Sequence, residues 1–317
     1  MSDKRRIAVV GAGAFGRNHL RVVRESERAV LAGVVDTDQE RAQAAAAEFG
    51  CPVLATLEQA AASADAAIVA VPTVAHCEVA CRLLDEGLDV LVEKPIAASA
   101  GEARALVEKA GQRGRVLQCG HLERFNPAVQ AAMAVATIPL FFEIHRLSLF
   151  TPRSLDVSVV SDLMIHDLDI LLSMTRAMPD EVRAAGISIL SDKVDIANVR
   201  LSFPNGCVAN LTASRVSTEK VRKLRFFQPG QYVSVDYARQ DCVVVGVGPE
   251  RQVSFRPLAV QKGEPLKRQF EHFLDCLETR ATPLVDGVAA QRALELAREI
   301  LAKIEEHAAL VARHLQA

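Results

Sequence analysis

The sequence of 317 residues predicts a two-domain α/β protein, in which a doubly wound parallel sheet is followed by an α/β domain with a large, mostly antiparallel open sheet. Up to about Gly120, short apolar runs alternate with Ala-rich helical stretches, whereas alternating strands joined by Gly, Pro and Asn turns follow it. The chain is also longer than one compact core usually serves. We therefore expect one domain over residues 1–120 and a second over residues 121–317.

The first domain is predicted from apolar runs that are short and continuous, as expected of strands buried on both faces of a parallel sheet. The predicted strands span residues 7–10, 31–35, 66–71, 90–92 and 116–119. The predicted helices between them span residues 16–25, 39–49, 74–86 and 100–113. Gly50, Gly87 and Gly114 each follow a helix, where a left-handed closing residue is needed and glycine has no steric penalty.

The second domain is predicted from strands in which apolar and polar residues alternate, with turn sequences such as Pro204-Asn-Gly206 between them. These strands span residues 142–148, 198–203, 208–214, 223–227, 232–237 and 241–247. A helix is predicted over residues 159–175, and two more over residues 267–279 and 287–315 close the chain.

Composition excludes several classes of function. The 37 basic and 39 acidic side chains nearly cancel, which argues against a nucleic acid partner. No apolar stretch approaches the roughly 20 residues needed to cross a bilayer, and the N-terminus lacks a secretory pattern, so we expect a cytoplasmic protein without a membrane partner. The seven cysteines include no Cys-x-x-Cys pair, and Cys77, Cys81 and His76 lack a fourth ligand at zinc spacing. No metal is predicted.

The segment Gly11-Ala-Gly-Ala-Phe-Gly16 directly follows an apolar strand and precedes a helix, which is the setting of a Rossmann dinucleotide fingerprint. Gly11 allows the tight turn, Gly13 lets the backbone approach a pyrophosphate, and Gly16 lets the helix and strand pack closely. The N-terminus of the helix favours the anion. The sequence therefore predicts that residues 1–120 bind a dinucleotide.

Asp36 lies 20 residues after Gly16, at the end of the second predicted strand. A carboxylate there accepts hydrogen bonds from ribose hydroxyls and repels the additional phosphate of NADP, so the predicted cofactor is NAD. A methyltransferase also uses a glycine turn and an acidic residue after its second strand. These features alone do not select hydride chemistry.

The deciding motif is Glu93-Lys-Pro95, at the end of a predicted parallel strand, where ligands collect in open α/β sheets. Together with the glycine turn, the segment from Val71 to His76 and Asp162-Leu-Met-Ile-His166, it resembles the Gfo/Idh/MocA oxidoreductase family over nearly the whole chain. The resemblance implies that Lys94, Asp162 and His166 form the catalytic set. The sequence departs from the family at Val157-Ser-Val-Val-Ser161, where many relatives have a glycine-rich approach to the aspartate.

These residue types suit the oxidation of a secondary alcohol, which needs a base and an oxyanion stabiliser at one oxygen. The Lys94 ammonium can stabilise the developing alkoxide, and His166 titrates near neutral pH and can take the proton. Either residue can be the formal base. Asp162 precedes His166 by four residues on a helix, so it can orient the imidazole or pair with Lys94.

The resemblance also implies further contacts, among them Glu93 with the ribose on the nicotinamide side and Pro72 and Thr73 over the cofactor. His76 has two open interpretations, a cofactor contact or the start of a helix. The predicted cofactor-binding residues are Gly11, Gly13, Ala14, Phe15, Gly16, Asp36, Pro72, Thr73, His76, Glu93 and Lys94.

After the last Rossmann strand, His121, Arg124 and Asn126 are the predicted substrate residues, with Arg124 suited to a phosphate or carboxylate. An interdomain salt bridge is an equal alternative for this arginine. If the substrate carries a diphosphate, further candidates are Arg146, Arg153 and Arg215.

A finer resemblance involves the segments 120–127 and 162–169, which are similar to those of a subgroup that includes UDP-N-acetylglucosamine 3-dehydrogenases. We therefore expect oxidation of a secondary hydroxyl of a sugar or nucleotide sugar. The alternatives are an inositol, other polyol or biliverdin-type oxidoreductase on the same fold, and a non-catalytic NAD-binding regulator. An apolar open sheet tends to associate, and family members use that surface, so a homodimer or homotetramer is predicted.

Overall fold

The computed structural model describes residues 4–151, 157–248 and 250–315. The chain divides into two compact units. The first comprises the chain up to Leu122 together with Glu264–Gln291, and the second comprises Glu123–Gly263 and the chain from Arg292 onward. Residues 264–291, assigned to the second domain from sequence, therefore belong to the first unit.

The first unit contains a five-stranded parallel sheet in the order β2-β1-β3-β4-β5, which confirms the predicted parallel sheet. Its strands are β1 (Arg5–Val10), β2 (Ala29–Val35), β3 (Ala66–Val69), β4 (Asp89–Val92) and β5 (Leu117–Cys119). Its helices are α1 (Ala14–Glu25), α2 (Gln39–Phe49), α3 (Leu57–Ser63), α4 (His76–Asp85), α5 (Ala100–Arg113) and, after the second unit's strands, α8 (Pro265–Thr279). The central strands are buried throughout, because helices cover both faces of the sheet.

Helix α8 joins the first unit because its apolar face completes that core. Phe270, Phe273 and Leu274 are fully buried in one cluster with Leu20 and Val23 of α1. Helical periodicity predicts that α8 has an apolar face, but it does not specify which core that face joins.

The second unit contains an eight-stranded sheet in the order β13-β12-β11-β10-β6-β9-β8-β7. The strands are β6 (Phe141–Leu147), β7 (Glu181–Ile187), β8 (Ile196–Ser202), β9 (Val208–Ser214), β10 (Val221–Gln228), β11 (Gln231–Asp236), β12 (Asp241–Val247) and β13 (Val253–Pro257). Strands β6 and β9 pair in parallel and the other described pairs are antiparallel, which confirms a mostly antiparallel sheet.

Three helices pack on one face of this sheet, α6 (Pro127–Val135), α7 (Ile165–Thr175) and α9 (Gly287–Leu315). The core between them contains Phe142, Phe226, Leu168 and Ile300, all fully buried. The helix predicted over residues 159–175 begins as a π-helical turn, Val160–Met164, and continues as α7. None of the helices within the described ranges is sufficiently long and apolar to cross a membrane.

Candidate active site

The glycine turn between β1 and α1 has space for glycine alone at two of its positions. Gly11 has a φ of 101°, and a Cβ there would lie 2.5 Å from the Ala70 carbonyl oxygen. A Cβ on Gly16 would overlap the Gly11 carbonyl oxygen. At Gly13, by contrast, no described atom lies within 4 Å of the Cβ position. The turn is therefore closely packed on its protein side and open beside Gly13, which fits a pyrophosphate approaching the backbone.

The N-terminus of α1 is open in the same way. Its N-cap is Gly13, and within the described chain no side chain caps the first turn. The first N–H groups of a helix have no partner within the helix, and they carry partial positive charge that favours an anion. Ala14 and Phe15 of this turn are exposed.

Asp36, just after β2, is linked to the glycine turn. Its Oδ2 accepts a 2.7 Å hydrogen bond from the Ala12 amide, and its Oδ1 accepts one of 2.9 Å from the Asp38 amide. A carboxylate has about four lone-pair sites, so two amides leave it able to accept from ribose hydroxyls. The Arg41 guanidinium lies 3.6 Å from Asp36 Oδ1 and pairs more closely with Asp38, at 3.0 Å.

His76 connects the loops that follow β3 and β4. Its Nδ1 lies 2.8 Å from the Pro95 carbonyl oxygen and its Nε2 lies 2.9 Å from that of Val71, and the residue is 1% exposed. Burial lowers the pKa of His76, while the two carbonyls act in the opposite direction. The side chain thus holds together two backbone segments at the edge where ligands bind in such sheets. Pro72 is exposed beside it, and Thr73 begins a 3₁₀ turn, Thr73–Ala75.

Glu93, which directly precedes the predicted catalytic lysine in the chain, has a buried carboxylate. Its Oε1 lies 2.7 Å from Nε2 of His19, and its Oε2 accepts a 3.2 Å hydrogen bond from the Lys94 amide. A Cβ on Gly120 would lie 2.6 Å from that Oε2, so a larger residue there would displace the carboxylate. Lys94 itself is half-buried, and the Lys94-Pro95 peptide is cis.

His19 is a residue that sequence reasoning missed. It lies on α1, fully buried, and its only sequence signal is its spacing of three residues from Gly16, which places both on the inward face of that helix.

In the second unit, Asp162 and His166 lie on one helical segment. Asp162 is half-buried in the π-helical turn, where its amide donates a 3.0 Å hydrogen bond to the Ser158 carbonyl. His166 is buried in the first turn of α7. Single π turns inside α-helices occur frequently at functional sites, because they change the direction of side chains locally.

Beside His166, Asp167 belongs to a buried ionic network. Arg146 of β6 donates two 2.7 Å hydrogen bonds to the two Asp167 oxygens and one of 3.0 Å to Glu123. Its guanidinium lies over the ring of Tyr237, 4.8 Å from the centroid, and the Tyr237 hydroxyl donates a 2.9 Å bond to Asp167. This network fixes α7 against the sheet.

The predicted substrate residues are held by protein contacts. Asn126 caps α6 by accepting from the Ala128 amide at 3.1 Å, and its Nδ2 donates to Glu123 and to the Tyr237 carbonyl. Arg124 lies 3.4 Å from Asp169. His121, in the first unit, is fully buried.

The other arginines considered for a diphosphate also contact protein groups, where the structure describes them. Arg146 belongs to the buried network, and Arg215 contacts Asp195 and the Val157 carbonyl. Arg153 lies outside the described residues.

The first unit thus brings the predicted cofactor residues together at the carboxyl ends of β1 to β4, the usual ligand-binding edge of an open α/β sheet. The second unit brings Asp162 and His166 together on the helical segment 160–175, and α7 also carries Asp169, the partner of Arg124. Within the described ranges, no group of three or more His, Cys, Asp or Glu side chains is placed to hold a metal ion.

Comparison with known proteins shows the family of this chain. Residues 5–121 match the model of an oxidoreductase family with an NAD-binding Rossmann fold, and residues 140–230 match the Gfo/Idh/MocA C-terminal domain. The chain is also 37% identical over 309 residues to the UDP-N-acetylglucosamine 3-dehydrogenase of Acidithiobacillus ferrooxidans, covering 95% of this chain and 97% of that one. The chain belongs to the Gfo/Idh/MocA oxidoreductase family.

A solved structure of that enzyme and one further relative are also similar to this Gfo/Idh/MocA member. A solved structure of the A. ferrooxidans UDP-N-acetylglucosamine 3-dehydrogenase superposes with a TM-score of 0.91 and 36% identity, covering 96% of this chain and 99% of that one. The NAD(+)-type scyllo-inositol 2-dehydrogenase of Bacillus subtilis is 25% identical over 327 residues, with 93% of each chain covered. The family resemblance predicted from sequence is confirmed.

Proposed function

We propose that this oxidoreductase is an NAD-dependent dehydrogenase that oxidises a secondary hydroxyl of a nucleotide sugar, namely the 3-hydroxyl of UDP-N-acetylglucosamine. The observation that carries this proposal is the 37% identity, over almost the full length of both chains, to a UDP-N-acetylglucosamine 3-dehydrogenase. The inositol dehydrogenase that also matches over nearly its full length is 25% identical.

The choice of NAD depends on Asp36. Its carboxylate is fixed by two backbone amides at the end of β2 and keeps acceptor capacity for ribose hydroxyls. The additional phosphate of NADP would meet this negative charge. Arg41, the nearest cation, already pairs with Asp38. The proposed holders of the cofactor are the residues from Gly11 to Gly16 and Asp36, with the Val71–His76 and Glu93–Lys94 segments.

We propose Lys94, Asp162 and His166 as the catalytic residues. Bound NAD supplies the hydride acceptor. The Lys94 ammonium stabilises negative charge on the substrate oxygen, and an imidazole nitrogen of His166 accepts the hydroxyl proton. Asp162 favours the protonated imidazole that results and orients the ring. The first unit then serves as the cofactor domain, and the second as the substrate domain.

A second candidate substrate is a free polyol such as inositol. The observation in its favour is the match to scyllo-inositol 2-dehydrogenase over 93% of both chains. The two candidates differ chemically in one respect, because a nucleotide sugar carries a diphosphate that must be bound, whereas inositol is uncharged.

The test measures NADH formation, by its near-ultraviolet absorbance, with purified protein, NAD and either UDP-N-acetylglucosamine or inositol. We expect turnover of the nucleotide sugar. In Lys94→Ala, kcat should fall by at least about 100-fold, which is the effect usually seen when one group that stabilises an oxyanion is removed. The control is Lys109→Ala, because Lys109 forms an exposed pair with Asp85. Turnover of inositol alone would replace the proposed substrate, and an unchanged kcat in Lys94→Ala would remove the lysine from catalysis.

We also propose that the protein is a homo-oligomer that associates through the outer face of the eight-stranded sheet. On this face, Phe227 of β10 lies between Phe141 and Tyr232, with ring centroids 5.6 and 4.8 Å apart. Phe227 is partly exposed, and aromatic side chains are typical of interface cores. Sedimentation of the wild type should show a dimer or tetramer, and Phe227→Asp should shift it toward the monomer. A monomeric wild type would contradict this proposal.

A further inference from the structure

Arg222 occupies a position on β10 that sequence reasoning did not select. It pairs directly with Arg146 of β6, so the two arginines are neighbours across the strands. Side chains alternate between the faces of a strand, and Arg222 therefore shares a face with the buried Leu224 and Phe226. This is the face on which α6, α7 and α9 pack.

The carboxylates nearest to this pair are engaged by Arg146. Three of its nitrogens bond Asp167 and Glu123 at 2.7 to 3.0 Å, in a nearly solvent-free setting. Arg124 and Arg215 likewise have protein carboxylates, Asp169 and Asp195. The arginines that the sequence suggested for a diphosphate are thus paired with protein carboxylates, wherever the structure describes them.

Arg222 differs from them in its partners. It is half-buried, yet within the described part of the chain no carboxylate lies within 4 Å of its guanidinium, and no hydrogen bond of its side chain is formed there. Burial lowers the pKa of Arg222, as does Arg146, while Glu123, Asp167 and Asp162 act in the opposite direction. Partial burial removes some of the hydration of this cation, and an anionic ligand that accepts from its open donors would replace the lost hydrogen bonds.

We propose that Arg222 binds the diphosphate of the substrate, within the second unit and close to the segment that carries Asp162 and His166. This inference rests on the proposed function, since it assumes a nucleotide sugar. Among the oxygen groups of such a substrate, the phosphates match the guanidinium best, because its planar fork donates two parallel hydrogen bonds to an oxyanion and its charge is permanent.

The test compares the wild type with Arg222→Gln, each saturated with NADH so that the glycine turn is filled. Calorimetry measures the binding of UDP, which has the diphosphate without the sugar, and of inorganic pyrophosphate. We expect Arg222→Gln to weaken UDP binding and raise the KM for UDP-N-acetylglucosamine by about 10- to 100-fold, as for a lost charged hydrogen bond. The affinity for NAD and the melting temperature should stay unchanged, and Arg222→Lys should recover part of the loss.

The matched control is Arg239→Gln, because Arg239 is exposed and pairs with Asp236 and Asp241 in its own hairpin. It should bind UDP like the wild type. Equal UDP affinity in the wild type and Arg222→Gln would overturn the inference, as would a wild type that binds neither UDP nor pyrophosphate. Pyrophosphate binding that depends on Arg222, without turnover of the nucleotide sugar, would support the anion site and reject the proposed substrate.

Discussion

Replacing Arg146 with methionine tests how far the second unit depends on its buried ionic network. The arginine is 4% exposed and Asp167 is 2% exposed, and two 2.7 Å hydrogen bonds join them. Methionine fills similar space but leaves Asp167 and Glu123 buried without their cation. Removing one partner of a buried ion pair destabilises a protein by about 3–5 kcal/mol, because the remaining charge is uncompensated.

The control is Arg225→Met on β10, where the arginine pairs with Glu143 at 3.0 Å and the two side chains are 32% and 37% exposed. Solvent screens such a pair, so its loss should change the free energy of unfolding by about 0–1 kcal/mol. The two variants remove the same side chain, and burial of the ion pair is the main difference between them.

The assay is denaturant unfolding of both variants, supported by thermal unfolding. For a unit of this size, about 3–5 kcal/mol corresponds to a melting temperature lower by roughly 6–20 °C. The double variant Arg146→Met/Asp167→Leu should recover part of the lost stability, because it removes one of the two buried carboxylates that have no cation in Arg146→Met. If Arg146→Met and Arg225→Met lose equal stability, the reasoning from burial is wrong.

The remaining predictions concern the first unit. Burial lowers the pKa of His76 from its ordinary value of 6.5, so below about pH 6.5 the unfolded chain binds more protons than the folded one. The free energy of unfolding should therefore fall as the pH drops below about 6.5, and it should fall less in His76→Gln. Urea titrations from pH 5 to 8 check this. Gly11→Ala would place a Cβ 2.5 Å from the Ala70 oxygen, so the NAD affinity measured by fluorescence should fall at least about 10-fold. Gly50→Ala is the control, because it also puts alanine at a positive φ but its Cβ has no neighbour within 4 Å. Asp36→Ala should raise the NADP to NAD ratio of kcat/KM about 10-fold or more, and an unchanged ratio would exclude Asp36 from cofactor selection.

The parts of the fold that sequence predicts well are those with strong local signals. The five buried strands of the first unit and the strands around the Pro204-Asn-Gly206 turn lie within a few residues of their predicted positions. Three helices, α2, α5 and α9, match their predicted bounds, because caps such as Gly50 and Gly114 mark their ends.

Other elements lack such signals. Helix α3 has seven residues, too few for a period to emerge, and it depends on the Thr56 cap, which accepts from the Gln59 amide. Strand β13 is exposed along its whole length at the sheet edge, so no buried face marks it. Helix α6 follows Asn126, a residue interpreted as a substrate contact, although its Oδ1 caps that helix.

The candidate site shows the same division. Motif residues such as Gly11, Asp36 and Lys94 can be proposed from the sequence because each occupies a fixed place in a short motif at the end of a predicted strand. The roles of His19 and Arg222 depend on contacts between distant segments, 74 residues apart for His19 and Glu93. One sequence also does not show which arginines have a carboxylate partner, and that property separates Arg222 from Arg146.

The placement of α8 has a consequence for synthesis on the ribosome. The Rossmann core needs Phe270 and Phe273, but the chain first passes through the roughly 140 residues of the second unit's main segment. At about 5–20 residues per second, the nascent parallel sheet therefore waits on the order of ten seconds with one helix missing. During that interval the apolar side of α1 around Leu20 lacks the helix that packs with it in the folded protein, so the first unit should expose apolar surface until α8 has been synthesised.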